Sequence, residues 1–242
     1  MIDREKLKAY CEGFGVLLSP EQLDQFDGYC RLLLEWNKKM NLTAIREPEE
    51  VLIKHFVDSL ALLGFAELPQ GAKLIDVGTG AGFPGLPLKI ARPDLRLALL
   101  DSLKKRLTFL QAVCGTLGLD ADIIHSRAED GGKLSGLRQN FDAAVSRAVA
   151  PLNLLAEYCL PFVRVGGIFL AAKGPQVKEE LSQAEKAFQL LGGRAKKTVE
   201  YFLPDGSGRT LVTVKKERAT PALYPRHGSK NCEKALINDK TT

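Results

Sequence analysis

The sequence predicts a Rossmann-like α/β fold: a seven-stranded, mostly parallel sheet, an antiparallel C-terminal hairpin and a helical N-terminal region. Three observations carry this. Short apolar runs alternate with helical patterns from residue 71 onward, which is how a parallel sheet with crossover helices reads. Gly78, Gly80 and Gly82 follow the run Leu74–Val77 at alternate positions, as in a strand that turns sharply into a helix. The last two apolar runs are separated only by Leu203-Pro-Asp-Gly-Ser-Gly-Arg209, too short for a crossover helix, so they should pair antiparallel.

Residues 1–70 read as helices. Ser19-Pro20-Glu21-Gln22 offers an N-cap, a proline at the first helical position and a Gln three residues after the cap. Leu23, Phe26, Tyr29, Cys30, Leu33, Leu34 and Trp36 follow at nearly helical spacing. A second long helix should begin near Pro48 and run to Gly64, and the region as a whole is expected to cap the main domain. Strands are expected at Leu74–Val77, Leu97–Leu100, Ala121–Ile124, Ala143–Ser146, Gly167–Ala172, Lys197–Phe202 and Thr210–Lys215. This gives a main domain over 71–218. The remainder, 219–242, is polar with little periodicity and reads as a flexible tail.

Composition narrows the function. The 242 residues hold five cysteines with no C-x-x-C pair and three scattered histidines, so neither a disulfide framework nor a metal site is indicated. No apolar stretch approaches a membrane span and the N-terminus lacks the layout of a secretion signal, so a cytoplasmic protein is expected. Charge is uneven: residues 1–70 carry 8 basic and 12 acidic side chains, residues 190–242 carry 11 and 5. A basic second half suits a nucleic-acid partner, and equally a solvated basic tail.

The glycine loop cradles a nucleotide cofactor. Glycines without Cβ let the main chain approach a ligand, and Asp101, ending the next strand, can accept the hydroxyls of a ribose. Gly80-x-Gly82-x-x-Gly85 also fits the dinucleotide fingerprint. The extra glycine of Gly78-x-Gly80-x-Gly82, Asp76 just before the loop and the loop's distance from the N-terminus favour S-adenosylmethionine over a dinucleotide, since an acid at Asp76 suits a ligand ammonium and opposes a pyrophosphate. Five parallel strands closed by a hairpin match a class I methyltransferase sheet, and no second domain remains for a hydride acceptor. A thermal shift with each cofactor separates the methyl-donor reading from an NAD-dependent oxidoreductase.

Beyond the loop, Trp36-Asn37-x-x-x-Asn41-Leu42-Thr43, Lys54-His55-Phe56-x-Asp58-Ser59, Asp76 to Gly85, Asp101-Ser-Leu-Lys-Lys-Arg106, Ser146-Arg147-Ala148-Val149-Ala150 and Lys173-Gly174 occur in order. Together they resemble the RsmG (GidB) family of bacterial 16S ribosomal RNA guanine-N7 methyltransferases. The resemblance implies S-adenosylmethionine as cofactor, 16S rRNA or the small ribosomal subunit as partner, a guanine of the 530 loop as target, and cofactor contacts from Ala128, Glu129 and Arg147. A noncatalytic RNA-binding module retaining the cofactor fold is the alternative, and calorimetry with S-adenosylmethionine discriminates it. A monomer is expected.

The residues agree with N7 chemistry. No Asn/Asp-Pro-Pro-aromatic motif follows the fourth strand to accept amine hydrogens, and no Pro-Cys or Thr-Cys pair offers a pyrimidine nucleophile. Guanine N7 has an in-plane lone pair and no proton to lose, so alignment suffices and no general base is expected. Arg147 is the candidate on the substrate side, donating to O6 or to a phosphate, with an ion pair to an acid such as Asp142 as the structural alternative. Phe83 could pack on the cofactor or in the core. Lys104, Lys105 and Arg106 open a helix whose dipole they oppose, which favours an RNA role over a solvated face. Lys54, His55, Lys173 and Arg226 complete the RNA candidates. Lys54 also stands at i,i+4 from Asp58, and His55 could be structural. The family's basic tail after Tyr-Pro-Arg is replaced here by His227-Gly-Ser-Lys-Asn-Cys-Glu233, which separates this C-terminus from the family pattern.

Overall fold

The computed structural model describes residues 1–226. Its frame is a seven-stranded sheet of β1 (Lys73–Val77), β2 (Arg96–Asp101), β3 (Ala121–His125), β4 (Phe141–Arg147), β5 (Val163–Lys173), β6 (Gly193–Phe202) and β7 (Gly208–Lys216), in the order β3-β2-β1-β4-β5-β7-β6. The first five strands run parallel, and β7 pairs antiparallel with both β5 and β6. All seven expected strands are present, each within a few residues of its expected bounds. β5 and β6 each begin four residues before their expected starts; in β6 Gly193–Ala195 pair with Val214–Lys216 although their side chains are mostly solvated.

Strand periodicity divides the interior into two layers. Leu74, Leu97, Leu99, Ala143, Val145 and Leu170 face one side, while Ile75, Val77, Ala98, Leu100, Ala144 and Phe169 face the other. Strands apolar on both faces need helices on both faces, and the chain supplies them. On the first side lie α5 (Gly85–Ala91) and α6 (Lys104–Leu117), together with the N-terminal helices α1 (Arg4–Glu12) and α2 (Pro20–Met40). On the second lie α8 (Leu152–Cys159) and α9 (Lys178–Leu190). Residues of the first 65 therefore share one apolar core with the sheet rather than resting on its rim.

α2 starts as the sequence implies: Ser19 Oγ accepts from the Gln22 amide, the Gln22 side chain accepts from the Ser19 amide, and Pro20 occupies the first position. The following helical stretch is not uniform. α3 (Pro48–Val51) passes into a π-helical segment, Leu52–Val57, and then α4 (Asp58–Phe65). Such π turns are frequent at functional sites, and this one carries His55, whose ring stacks on Phe83.

Residues 219–226, read from sequence as the start of a polar tail, are tied down. Arg138 donates to the carbonyls of Thr220 and Tyr224, and Arg226 pairs with Glu157, which is fully buried. The divergent segment from His227 lies outside the described residues.

The chain order of the sheet places a site before any side chain is considered. From β1 the chain moves outward to β2 and β3, then returns to place β4 on β1's other side. Loops leaving β1 and β4 diverge at this switch point and leave a crevice beyond the strands' carboxyl ends.

Candidate active site

A cleft of about 530 Å³ opens at that crevice. One wall is main chain: residues 78–81 come off β1, held onto β2 by amides of Gly78 and Thr79 donating to the Leu100 carbonyl at 2.9 and 3.1 Å. Gly78 (φ 73°) and Gly82 (φ 98°) adopt left-handed backbone that a side chain would strain. Gly82 leaves no room in addition, since a Cβ there would lie 2.5 Å from Tyr29 Oη and 2.6 Å from Leu86. Tyr29, buried on α2, donates to the Ala81 carbonyl, so the N-terminal helices brace the loop directly.

Asp76 stands behind this wall rather than on it. Its Oδ2 accepts from Thr79 Oγ1 at 2.7 Å and from the Gly85 amide at 2.8 Å, which shapes the turn into α5. Its Oδ1 is buried and finds no hydrogen-bond partner among the described residues. Burial raises its pKa to about 6, against the opposing pull of Thr79, Gly85 and Arg147. A buried carboxylate with one oxygen unpaired fits a cationic ligand in the cleft, where an anionic pyrophosphate would add repulsion.

Asp101 ends β2 on the cleft wall, yet its oxygens are already engaged. Oδ2 accepts from the Gly80 amide at 3.0 Å and from Arg106 at 3.1 Å, and Oδ1 accepts from the Leu103 amide at 2.9 Å. A carboxylate has about four acceptor positions, so for it to take two ribose hydroxyls the half-buried Arg106 must swing away. Ala128 and Glu129, in the short helix α7 (Ala128–Gly131), line the same cleft.

The opposite wall is made of side chains. Arg147 ends β4 with 13% of its side chain exposed, its Cζ 5.3 Å from the Phe83 ring centre. Phe83 stacks on His55 at 4.3 Å and on Tyr29 at 5.3 Å, so its ring serves core and cleft together. Asp142 is not Arg147's partner, because it pairs with Arg164 at the strand's other end. Arg147 instead donates to Asp58 Oδ2 at 2.8 Å and to the Lys54 carbonyl at 3.2 Å. Asp58 also receives Tyr201 Oη at 3.2 Å and lies 3.4 Å from Arg209 Nε. Burial and the Arg147 charge push the His55 pKa down to about 3, so the ring is neutral at working pH. A second cavity of about 370 Å³, lined by His55, Asp58, Arg147, Lys173 and Arg209 among others, adjoins the first through its shared residues His55, Arg147 and Ala148.

The RNA candidates divide. Lys104 and Lys105 are exposed at the start of α6, whose first turn carries no acid. Lys54 pairs with Glu50 at 2.6 Å, not with Asp58. Lys173 pairs with Glu180 at 2.7 Å while facing the second cavity. Arg226 seals Glu157 and Arg106 is bound to Asp101, so these two are engaged structurally. Sequence reasoning gave Asp58 only an i,i+4 pairing with Lys54, and gave Arg209 and Tyr201 no role; the Lys-His-Phe-x-Asp string signals Asp58 alone.

Sheet order, glycine loop and switch-point cleft define a class I methyltransferase fold. Solved structures agree: TrmN from Thermus thermophilus superposes with a TM-score of 0.52 at 18% identity, over 66% of this chain and 48% of that one. A 16S rRNA (adenine(1408)-N(1))-methyltransferase from Catenulisporales acidiphilia gives 0.50 at 14% identity, over 62% and 87%. More narrowly, the chain belongs to the rRNA small subunit methyltransferase G (GidB) family, whose model matches residues 22–205. It is 49% identical to Ribosomal RNA small subunit methyltransferase G of Alkaliphilus oremlandii over 94% of this chain and 96% of that protein. The protein of the same name from Moorella thermoacetica is 48% identical, over 93% and 95%.

Proposed function

We propose that the protein methylates N7 of a guanine in small-subunit ribosomal RNA, using S-adenosylmethionine. The observation that carries the reading is the pairing of the two walls: bare main chain backed by an unpaired buried carboxylate oxygen on one side, and a guanidinium over an aromatic ring on the other. When bound, S-adenosylmethionine supplies an electrophilic methyl group, which the N7 lone pair takes as the carbon–sulfur bond breaks. The residues then have two tasks. Residues 78–81, Asp101, Ala128 and Glu129 hold the donor, and Arg147, fixed by Asp58, orients the base.

The engagement of the nearest basic groups supports N7 over an exocyclic amine. His55 is neutral but faces Arg147 and Thr43, and Asp58 is committed to Arg147 and Tyr201. N7 methylation requires no proton acceptor. We also propose that the protein acts as a monomer in the cytoplasm; sedimentation equilibrium checks the monomer. Exposed Lys104 and Lys105 are assigned to RNA phosphate, with Lys54 and Lys173 at the rim of the second cavity.

The test is incubation with small subunits lacking the modification and with protein-free 16S rRNA, followed by mapping of N7-methylguanine. The expected result is a single N7-methylated guanine. Methyl incorporation at another atom overturns the reaction, and no incorporation or cofactor binding favours a noncatalytic module.

A further inference from the structure

Thr43 lies outside the cofactor loop and outside every role assigned above, yet it lines the cleft. Its position is fixed by Asn37, a polar residue of α2 only 8% exposed. Asn37 Nδ2 donates to the Thr43 carbonyl at 2.9 Å and to the Ile45 carbonyl at 3.4 Å, and its Oδ1 accepts from the Thr43 amide at 3.0 Å. Three hydrogen bonds from one side chain hold this turn.

The Thr43 hydroxyl has a defined polarity. Its Oγ1 accepts from the Ile45 amide at 3.1 Å and lies 3.0 Å from His55 Nε2. Arg147 Nη2 lies 3.4 Å from the other ring nitrogen, Nδ1. A guanidinium can only donate, so Nδ1 accepts and the neutral ring carries its proton on Nε2. The Lys54 carbonyl, which would accept from the second ring N–H of the charged form, already receives Arg147 Nη1 at 3.2 Å. His55 therefore donates to Thr43 Oγ1. A hydroxyl that accepts twice has its own proton left to give, and the cleft is where Thr43 can give it.

We propose that Thr43 is a specificity-determining residue whose hydroxyl donates to O6 of the target guanine, completing with Arg147 a donor-only rim against the base edge that carries N7. Guanine presents two acceptors on that edge, N7 and O6; adenine replaces the second with the N6 amino donor, which would meet Thr43 donor to donor. The inference rests on the guanine-N7 reading and adds the residue that rejects adenine.

The test is a cycle of Thr43→Val and Thr43→Ser against target RNAs holding guanosine or 2-aminopurine riboside at the methylated position. 2-Aminopurine keeps N7 and lacks O6. Single-turnover methyl transfer and equilibrium affinity are measured on the same RNAs, with circular dichroism as a check on folding. On guanosine, Thr43→Val should lose roughly tenfold and Thr43→Ser should stay near the parent. On 2-aminopurine, Thr43→Val should lose little further, because the acceptor is already gone. Equal losses on both RNAs, or a Thr43→Ser loss as large as that of Thr43→Val, overturn the proposal. Absence of N7 methylation by the parent protein on guanosine would instead defeat the underlying reaction.

Discussion

The two walls of the cleft are built by opposite means. The wall assigned to the cofactor is main chain from one contiguous stretch, Asp76 to Gly85, shaped by Asp76 and braced by Tyr29. The wall assigned to the base is made by the side chains of Thr43, His55 and Arg147, backed by Asp58, Tyr201 and Arg209, with the Tyr201–Asp58 hydrogen bond alone spanning 143 residues of sequence. A main-chain wall needs space, which glycine spacing records in the sequence. A side-chain wall needs charge balance, which only folding supplies. The first should tolerate the loss of any one side chain better than the second.

Asp58 offers the severest way to break that contrast. It is 3% exposed and compensates two guanidinium groups. Its removal as Asp58→Ala leaves two guanidinium groups, 13% and 23% exposed, without their carboxylate, a change that costs up to about 3 kcal/mol, the low end for a fully buried pair. Urea unfolding should show a loss of that size with an unchanged slope. A loss below about 1 kcal/mol would mean that water enters the second cavity and screens the pair.

Next in size is Arg147. Arg147→Ala should leave a folded protein that binds cofactor with turnover reduced about a hundredfold or more, the range for deleting a preorganised donor. Arg147→Lys should restore little, because an ammonium cannot both bridge to Asp58 and the Lys54 carbonyl and lie over Phe83 as the planar fork does. Rates of methyl incorporation under saturating RNA check both. Turnover equal to the parent's would move the chemistry away from this wall.

The same contrast explains what could be read from the chain alone. All seven strands and the glycine loop were legible because apolar periodicity and missing Cβ atoms are local properties. The α2 cap was legible for the same reason, since Ser19 and Gln22 satisfy each other within one turn. Ion pairing was not. Asp142 is near Arg147 in sequence, but five residues along β4 put the two at opposite ends of the strand. Lys173 and Arg226 read as available cations, yet α9 brings Glu180 to the first and α8 brings Glu157 to the second. The π-helical segment was equally hidden, for nothing in Leu52–Val57 departs from an ordinary helical pattern.

Asp76 sharpens the contrast at the scale of a single proton. Its pKa in the folded protein is about 6, above the usual 3.8, so its contribution to stability is fully present below pH 3.8 and is lost as pH rises through 6. His55 works the other way: its pKa falls from 6.5 to about 3, so the stability it permits is present above pH 6.5 and is lost as pH falls toward 3. A cationic ligand in the cleft favours the ionised form of Asp76. Binding of S-adenosylmethionine at pH 6 should therefore release protons, seen in calorimetry as a heat that varies with the ionisation enthalpy of the buffer, and at pH 8 it should release none. In Asp76→Asn the buffer dependence should vanish. Proton release that persists in Asp76→Asn would assign the linkage elsewhere.

The smallest expected effect concerns Lys104 and Lys105, which belong to neither wall. They open α6 at the end where the helix dipole is positive, so each costs a few tenths to about 1 kcal/mol that a neutral residue would not. Replacing both with Ala should therefore leave stability unchanged or slightly higher. Affinity for rRNA should fall, and the dependence of log affinity on log salt should flatten by about one unit for each phosphate that is no longer neutralised. Because both side chains are exposed and lie outside the cleft lining, turnover at saturating RNA should hold. A double variant with the parent's salt slope would make the pair a solvated face and shift RNA binding to the rim of the second cavity, where Lys54, Lys173 and Arg209 gather. The side-chain wall would then both bind the strand and orient the base, and the contrast with the main-chain wall would widen.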